Sequence, residues 1–168
     1  TRAMPEFWLG MLLLAVFSFS LGWFPAGGTR EPGAEYGSIW ALYASADFWR
    51  HMALPVLTLA IYSQGLPLLL MRSNMMDVMR EDFVTMARIK GLSTFSVVIR
   101  HAARNALLPV MTSFAIAVGY QIQGNVVVET VFSWPGLGRE LVRAVQTADY
   151  PLAQGAFLMI AVVVILMN

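Results

Sequence analysis

The chain has 168 residues, 58% hydrophobic and only 12% charged, with a formal net charge of +1 and no cysteine. That balance is too apolar for a soluble domain of this size, and the missing cysteines exclude disulfides and thiolate metal sites within the chain. Apolar runs of membrane length leave an integral membrane protein as the class, expected to be an all-α, polytopic transmembrane helical bundle. The chain starts at Thr1 without an initiator methionine and stops at Asn168 just past an apolar run, so it reads as a fragment cut at both ends.

Residues 7–24 form an apolar run long enough to span about 30 Å of hydrocarbon, with Trp8 and Trp23 near its ends as interface anchors. Pro25-Ala-Gly-Gly28 breaks it. Residues 25–52 turn polar and mixed, and their interleaved aromatics, Trp40, Tyr43, Phe48 and Trp49, fit a loop or short helix lying at a membrane surface. An ordinary loop with a few buried aromatics is the plainer alternative. Residues 53–71 read as a second span, kinked where Gly65-Leu-Pro67 removes a backbone hydrogen bond.

Residues 81–109, most of them in the 72–105 loop, are the charged, gapped, amphipathic passage of the chain, and they read as two short helices joined at a corner. On the first, Met76, Met79, Phe83 and Met86 recur at helical spacing, with Arg80, Asp82 and Arg88 off that stripe. Gly91 is placed to close the helix in a left-handed conformation, with Leu92 folding back onto the last turn. Ser93 or Thr94 can cap the second helix, whose stripe is Phe95, Val98 or Ile99, Ala102 and Ala106. His101 and Asn105 form an adjacent ridge, where the histidine is expected to tie the two helices together by a hydrogen bond. Arg100 and Arg104, at i,i+4, call for nearby anions: Asp77, Glu81 or Asp82, lipid phosphate, or a partner.

Residues 106–128 read as a third span, with Gly119 and Gly124 allowing close helix approach. Within it Gln121 and Asn125 share a face, and Gln123 turns away. Residues 129–151 follow as a second loop, with turn chemistry at Ser133-Trp-Pro-Gly136 and a short amphipathic helix over 137–147. Residues 152–168 are a fourth span. Arg72, Arg80, Arg88, Lys90, Arg100 and Arg104 concentrate in the 72–105 loop, whereas Arg30 and Arg50, then Arg139 and Arg143, are all that the other two loops hold. The positive-inside bias therefore makes 72–105 cytoplasmic and 25–52 and 129–151 external.

The order Ala87-Arg-Ile-Lys-Gly91-Leu-Ser93, Arg100-His101, Arg104-Asn105-Ala106 and Pro109 resembles the cytoplasmic coupling loop of ABC importer permeases, most closely those of the dipeptide, oligopeptide and nickel branch. Leu54-Pro55-Val-Leu-Thr-Leu59, Glu129 through Phe132, Pro135-Gly-Leu-Gly138, and Asp149-Tyr-Pro151 with Gln154-Gly155 extend the resemblance over nearly the whole chain. In many permeases of the wider superfamily a proline falls near the position of Arg104, whereas here Pro109 comes later.

The resemblance implies a permease subunit of a bacterial inner-membrane importer for peptides, nickel or a related small solute. Its implied partners are a second permease subunit, two ATPase subunits carrying ATP and Mg, an external solute-binding protein and the lipid bilayer, with no nucleic acid. Phe83, Met86, Ala87, Arg88, Lys90, Gly91, Leu92, His101, Arg104 and Asn105 would couple to the ATPase, with Met79, Phe83 and Met86 seated in its groove. The same helix could instead lie on lipid headgroups.

Gln64, Gln121, Asn125 and Glu129 are candidates for the translocation path, against an alternative of helix-to-helix hydrogen bonding for the amides and interfacial anchoring for Glu129 and Asp149. No G-x-x-x-x-G-K-[ST] loop, G-x-S-x-G elbow or H-E-x-x-H helix occurs, so the chain is not expected to be an enzyme or to hold a cofactor or metal. A passive channel or scaffold, or an intramembrane enzyme using Asp77, Glu129 or Asp149, are the rival readings.

Overall fold

The computed structural model describes residues 4–122 and 125–167. Its described residues are helical, without strands, as the periodicity predicts. They divide into two compact units, one of residues up to Tyr62 together with those from Gly119, the other Ser63–Val118.

In the first unit, α1 (Glu6–Leu13) continues as a π-helical segment, Leu14–Ser20, so the first apolar helix stops short of Phe24. The amides of Trp23 and Phe24 return to the Phe17 carbonyl (2.9 and 3.3 Å), and the Trp23 ring packs on Phe17 with centroids 5.7 Å apart. After a loop, α2 (Ile39–Ala44) supplies the short helix, capped by Ser38, whose Oγ accepts from the Ala41 amide at 3.2 Å. α3 (Ala46–Ser63) begins seven residues before the predicted span, because Ser45 caps it: its Oγ accepts from the Phe48 amide at 3.1 Å.

Leu13, Leu14, Leu54, Val128 and Phe132 form this unit's core. Gly10 lets Val131 approach, since a Cβ there would lie 3.2 Å from Val131 Cγ1.

α3 and α4 (Gly65–Val78) together make Ala46–Val78, the one helical run among the described residues long and apolar enough to cross a membrane by length and composition. Glu6–Ser20 and Tyr150–Leu166 are shorter apolar helices. The turn between α3 and α4 falls at Gln64, ahead of Pro67, whose missing amide cannot bond the Ser63 carbonyl.

The second unit departs from the predicted stripes in two ways. Met76 and Met79 do not share a helix with Phe83 and Met86: α4 ends at Val78, Glu81 is extended (φ −70°, ψ 149°), and α5 (Asp82–Ile89) starts afresh. The inward face of α5 is Val84 and Ala87, against which Met75, Val78 and Met79 pack. The second elbow helix starts at Thr94, and Ser96–Ala102 is π-helical. Bonding from i to i+5 widens the turn, so Val97 and Ala102 fall on one face. Val97 (1% exposed) and Ala102 are buried, while Phe95 (77%) and Ile99 (55%), predicted to face inward, point out. The 3.6-residue period of an α-helix is the wrong ruler for this segment.

α6 (Ala103–Ile122) carries Pro109 inside it. The predicted third span is not one helix to Val128: Asn125 has a non-helical backbone (φ −111°, ψ 92°) and caps α7 (Val126–Val131) through Oδ1, which accepts from the Val128 amide at 3.1 Å. Gln123 and Gly124 lie outside the described residues, as does the side-chain environment of Gly119. α8 (Leu137–Gln146) matches the predicted amphipathic helix, and α9 (Tyr150–Met167) follows, capped by Asp149, whose Oδ1 accepts from the Leu152 amide at 3.1 Å. That cap is the role the structure gives Asp149.

Val97→Ala removes buried methyls and costs about 1–3 kcal/mol, whereas the exposed Ile99→Ala changes stability by less than about 0.5 kcal/mol. Denaturant titration of the purified full-length protein in detergent checks this, and the reverse order would restore the α-helical phase.

Candidate functional site

Two constellations carry the predicted functional residues, one in each unit. The first is the corner at Gly91. Lys90, the C-cap of α5, sends its amide to the Met86 carbonyl (3.0 Å), Gly91 to Arg88 (2.9 Å) and Leu92 to Ala87 (3.3 Å). With Gly91 at φ +76°, these bonds form a Schellman closure in which the last carbonyls of α5 are satisfied without extending the helix. Ser93 then caps the second helix, its Oγ accepting from the Ser96 amide at 3.3 Å. Thr94 is therefore the first helical residue and not the cap. Two helices are thus joined by four residues, Lys90, Gly91, Leu92 and Ser93, each of which bonds to a helix end.

Around this corner Phe83, Met86 (59%), Ile89, Leu92, Phe95 and Ile99 are all exposed, together with Arg88, Lys90, Arg100, Arg104 and Asn105. Ile89 and Phe95 were not among the predicted contacts, and only the phase set by the break at Glu81 and by the π segment brings them outward. Ala87 was predicted to contact a partner but is 5% exposed, its small side chain being what lets the two elbow helices meet.

Leu92 returns its amide to Ala87 of α5, as expected of the residue behind the glycine, and its side chain is 41% exposed. His101 is half-buried but makes no hydrogen bond among the described residues, so it does not tie the helices together. Within the same unit a weaker bond from Asn74 Nδ2 to the Ala106 carbonyl, 3.4 Å, links α4 to α6. Among the described residues no carboxylate pairs with the basic side chains of this loop, so Asp77, Glu81 and Asp82 do not neutralise Arg100 and Arg104. Phe95, Ser96, Ile99, Arg100 and Arg104 instead line an open groove.

The second constellation lies within the other unit. Gln121, Asn125 and Glu129 line a cavity of about 200 Å³, with Met52, Pro55, Val56, Leu59, Val128 and Trp134 as its apolar walls. Gln64, the remaining candidate for a translocation path, is exposed at the α3–α4 turn and is not part of this cavity.

Glu129 was expected at an outer span end, where ionisation is cheap. It is instead only 8% exposed, and both carboxylate oxygens accept from backbone: Oε1 from the Asn125 amide at 3.1 Å and Oε2 from the Arg139 amide at 2.8 Å. Arg139 is the third residue of α8, whose own N-cap is Gly136 and brings no side chain. The carboxylate from α7 therefore caps α8 and meets its positive end.

This is why Gly136 and Gly138 flank Leu137. A Cβ on Gly136 would lie 2.2 Å from Glu129 Cδ, and one on Gly138 would lie 2.6 Å from Val126 Cγ2. The Asn125 side chain is spent on the same network, since its Nδ2 donates to Glu6 Oε1 at 2.6 Å while Oδ1 caps α7. Gln121 is the other amide on the cavity wall. A glutamate a few residues ahead of a Gly-x-Gly helix start, where no Ser, Thr, Asp or Asn stands at the N-cap, is the sequence signal for this arrangement.

Gly136→Ala displaces the carboxylate from the α8 amides and is expected to cost about 1–3 kcal/mol, the penalty of leaving buried polar groups unpaired. Glu129→Ala alone should cost a similar amount, but little more when made in the Gly136→Ala background, because the contact is already lost. Unfolding midpoints of the two single variants and the double variant check this; strictly additive losses would contradict the capping role.

With this geometry in place, comparison with known proteins gives a single answer. A sequence model described as the binding-protein-dependent transport system inner membrane component matches residues 1–168. The chain is 42% identical over 177 aligned positions to the di/tripeptide transport system permease protein DppB of Pseudomonas aeruginosa (strain UCBPP-PA14), covering 99% of this chain and 53% of that protein. It is 41% identical over 164 positions to the glutathione transport system permease protein GsiC of Escherichia coli (strain K12), covering 98% and 48%. The chain spans about half the length of these relatives. It belongs to the family of binding-protein-dependent transport system inner membrane components.

Proposed function

We propose that the protein containing this chain is a permease subunit of an ATP-driven importer that moves peptides across the bacterial inner membrane. The names of its relatives, a di/tripeptide and a glutathione permease, support the peptide class of solute over nickel. In this reading the 72–105 loop is cytoplasmic, ATP and Mg bind on separate ATPase subunits, and a second permease subunit and an external solute-binding protein complete the assembly. The apolar helices Glu6–Ser20, Ala46–Val78, α6 and α9 carry the translocation path in this reading, and Gln121 with Glu129 contributes to it.

The observation that carries the coupling reading is the elbow itself. A corner closed by a left-handed glycine presents Phe83, Met86 and Ile89 outward, beside Arg88 and Lys90. Exposed apolar side chains at helical spacing seat in a groove, and flanking cations set its orientation. The corner is closed by the Gly91 and Leu92 backbone bonds and by the Ser93 cap, so force applied at α5 reaches the second helix and then α6 without first melting a helix end. A nucleotide-driven change in the ATPase shifts the equilibrium between inward-open and outward-open states only through contacts that differ between them, and the docked elbow supplies those contacts.

Gly91→Val places a β-branched residue at positive φ, and Gly91→Pro also removes the amide that bonds the Arg88 carbonyl. Either substitution in the full-length permease should abolish ATP-dependent peptide uptake by cells while membrane insertion, followed by immunoblot of the membrane fraction, is unchanged. Normal uptake with either variant would sink the elbow mechanism.

A further inference from the structure

The external-type loop before α3 presents a patch that the transport reading leaves unused. α2 has the sequence Ile39-Trp-Ala-Leu-Tyr-Ala44, with no charged residue, and Trp40 is 78% exposed with Ile39 and Tyr43 beside it. At 100° per residue Ile39, Tyr43 and Trp40 fall within about a third of the helix circumference, so they form one face. Trp49 continues the patch: its Nε1 donates to the Tyr43 carbonyl at 3.0 Å, and Phe48 lies between the two rings with edge-on contacts at centroid distances of 5.0 and 5.9 Å. Ser45 fixes the corner between α2 and α3, its Oγ donating to the Leu42 carbonyl at 2.6 Å while accepting from Phe48.

Position along the apolar helices says what covers this face. α2 ends one residue before the Ala46–Val78 run, which is of membrane-spanning length. Trp23 follows the apolar helix Glu6–Ser20, and its carbonyl accepts from Arg50 Nη2 at 3.4 Å, so the far end of that helix and the near end of α3 reach the same level. Trp23, Trp40, Tyr43 and Trp49 therefore gather where two apolar helices leave hydrocarbon, which is where amphipathic aromatic rings partition.

Asp47, at the start of α3, is turned to the protein's own groups. Asp47 accepts from the Glu31 amide (2.9 Å) and the Tyr36 hydroxyl (3.0 Å), and its other oxygen lies 3.1 Å from Nδ1 of buried His51. Because Nδ1 faces only acceptors, that carboxylate and the Asp47 carbonyl at 2.9 Å, it carries the proton. A face with aromatic rings and no charge of its own, beside an Asp47 turned to the protein's own groups, suits a lipid interface better than an oriented protein contact.

We infer that α2 is an interfacial anchor, lying in the lipid headgroup layer with Ile39, Trp40 and Tyr43 turned toward the acyl chains. It would hold the N-terminal end of α3 at fixed depth, giving the span a reference point on the side where α2 lies.

The test is spin-label depth measurement on the full-length permease with its partner subunits in nanodiscs of phosphatidylethanolamine and phosphatidylglycerol. Any cysteine outside these 168 residues is first replaced. Nitroxides at Trp40→Cys and Tyr43→Cys should collide with oxygen more than with a water-soluble nickel chelate and report a depth of about 5–10 Å below the phosphates, while one at Gly37→Cys reads as aqueous. Labels at both α2 positions that read as aqueous overturn the inference, and so do labels shielded from both relaxants, since that would mean a protein surface covers the patch. Peptide uptake in the same variants separates this outcome from failure of the transport reading.

Discussion

Backbone hydrogen bonding at helix ends is the constraint on which this structure depends. A chain of this composition has few polar side chains, yet every helix leaves amides and carbonyls that must be satisfied. The same closure recurs at three corners: residues 91 and 92 bond back to α5, 133 and 134 to α7, and 148 and 149 to α8. At each, one residue takes a positive φ: Gly91 (+76°), Ser133 (+51°) and Ala148 (+53°). Ser133 and Ala148 hold that conformation without glycine's freedom, because two backbone bonds at each corner over-determine it. Caps at Ser38, Ser45, Ser93, Asn125 and Asp149 answer from the other side.

The two functional constellations are consequences of that economy. At Gly91 two helix ends are closed within the four residues 90–93, and the apolar side chains around the corner face outward. At Glu129 an ionisable group is kept nearly buried because it substitutes for a missing cap, and two glycines make room for it. The first arrangement suits transmission of force and the second suits a fixed polar wall beside a small cavity. One residue type, glycine, serves both, by positive φ in one place and by absence of a Cβ in the other.

Much of this was legible in the sequence. Helical content, the apolar runs, the left-handed glycine at position 91, the choice of Ser93 or Thr94 as a cap and the amphipathic helix from Leu137 all follow from local chemistry. What was not legible depends on tertiary context. The π segment at Ser96–Ala102 rotates Phe95 and Ile99 outward, and nothing in a 3.6-residue period announces it. Asn125 reads equally well as the next turn of a span or as a cap, and the bond to Glu6, far away in sequence, decides for the cap. Glu129 looked like an interfacial carboxylate because its two partners are backbone amides, which leave no mark on composition. The break at Glu81 splits a methionine stripe that was continuous in pattern.

The central claim is that the outward face of α5 docks on an ATPase subunit, and Met86, well exposed on that face, is the position that tests it most directly. The measurement is disulfide cross-linking of Met86→Cys in the full-length permease to cysteines placed along the surface grooves of the co-expressed ATPase, with and without ATP. The account predicts a cross-link to one groove whose yield changes with nucleotide. A Met86→Cys side chain that reacts only with lipid-phase reagents, and never with the ATPase, would contradict it and make the elbow a surface helix.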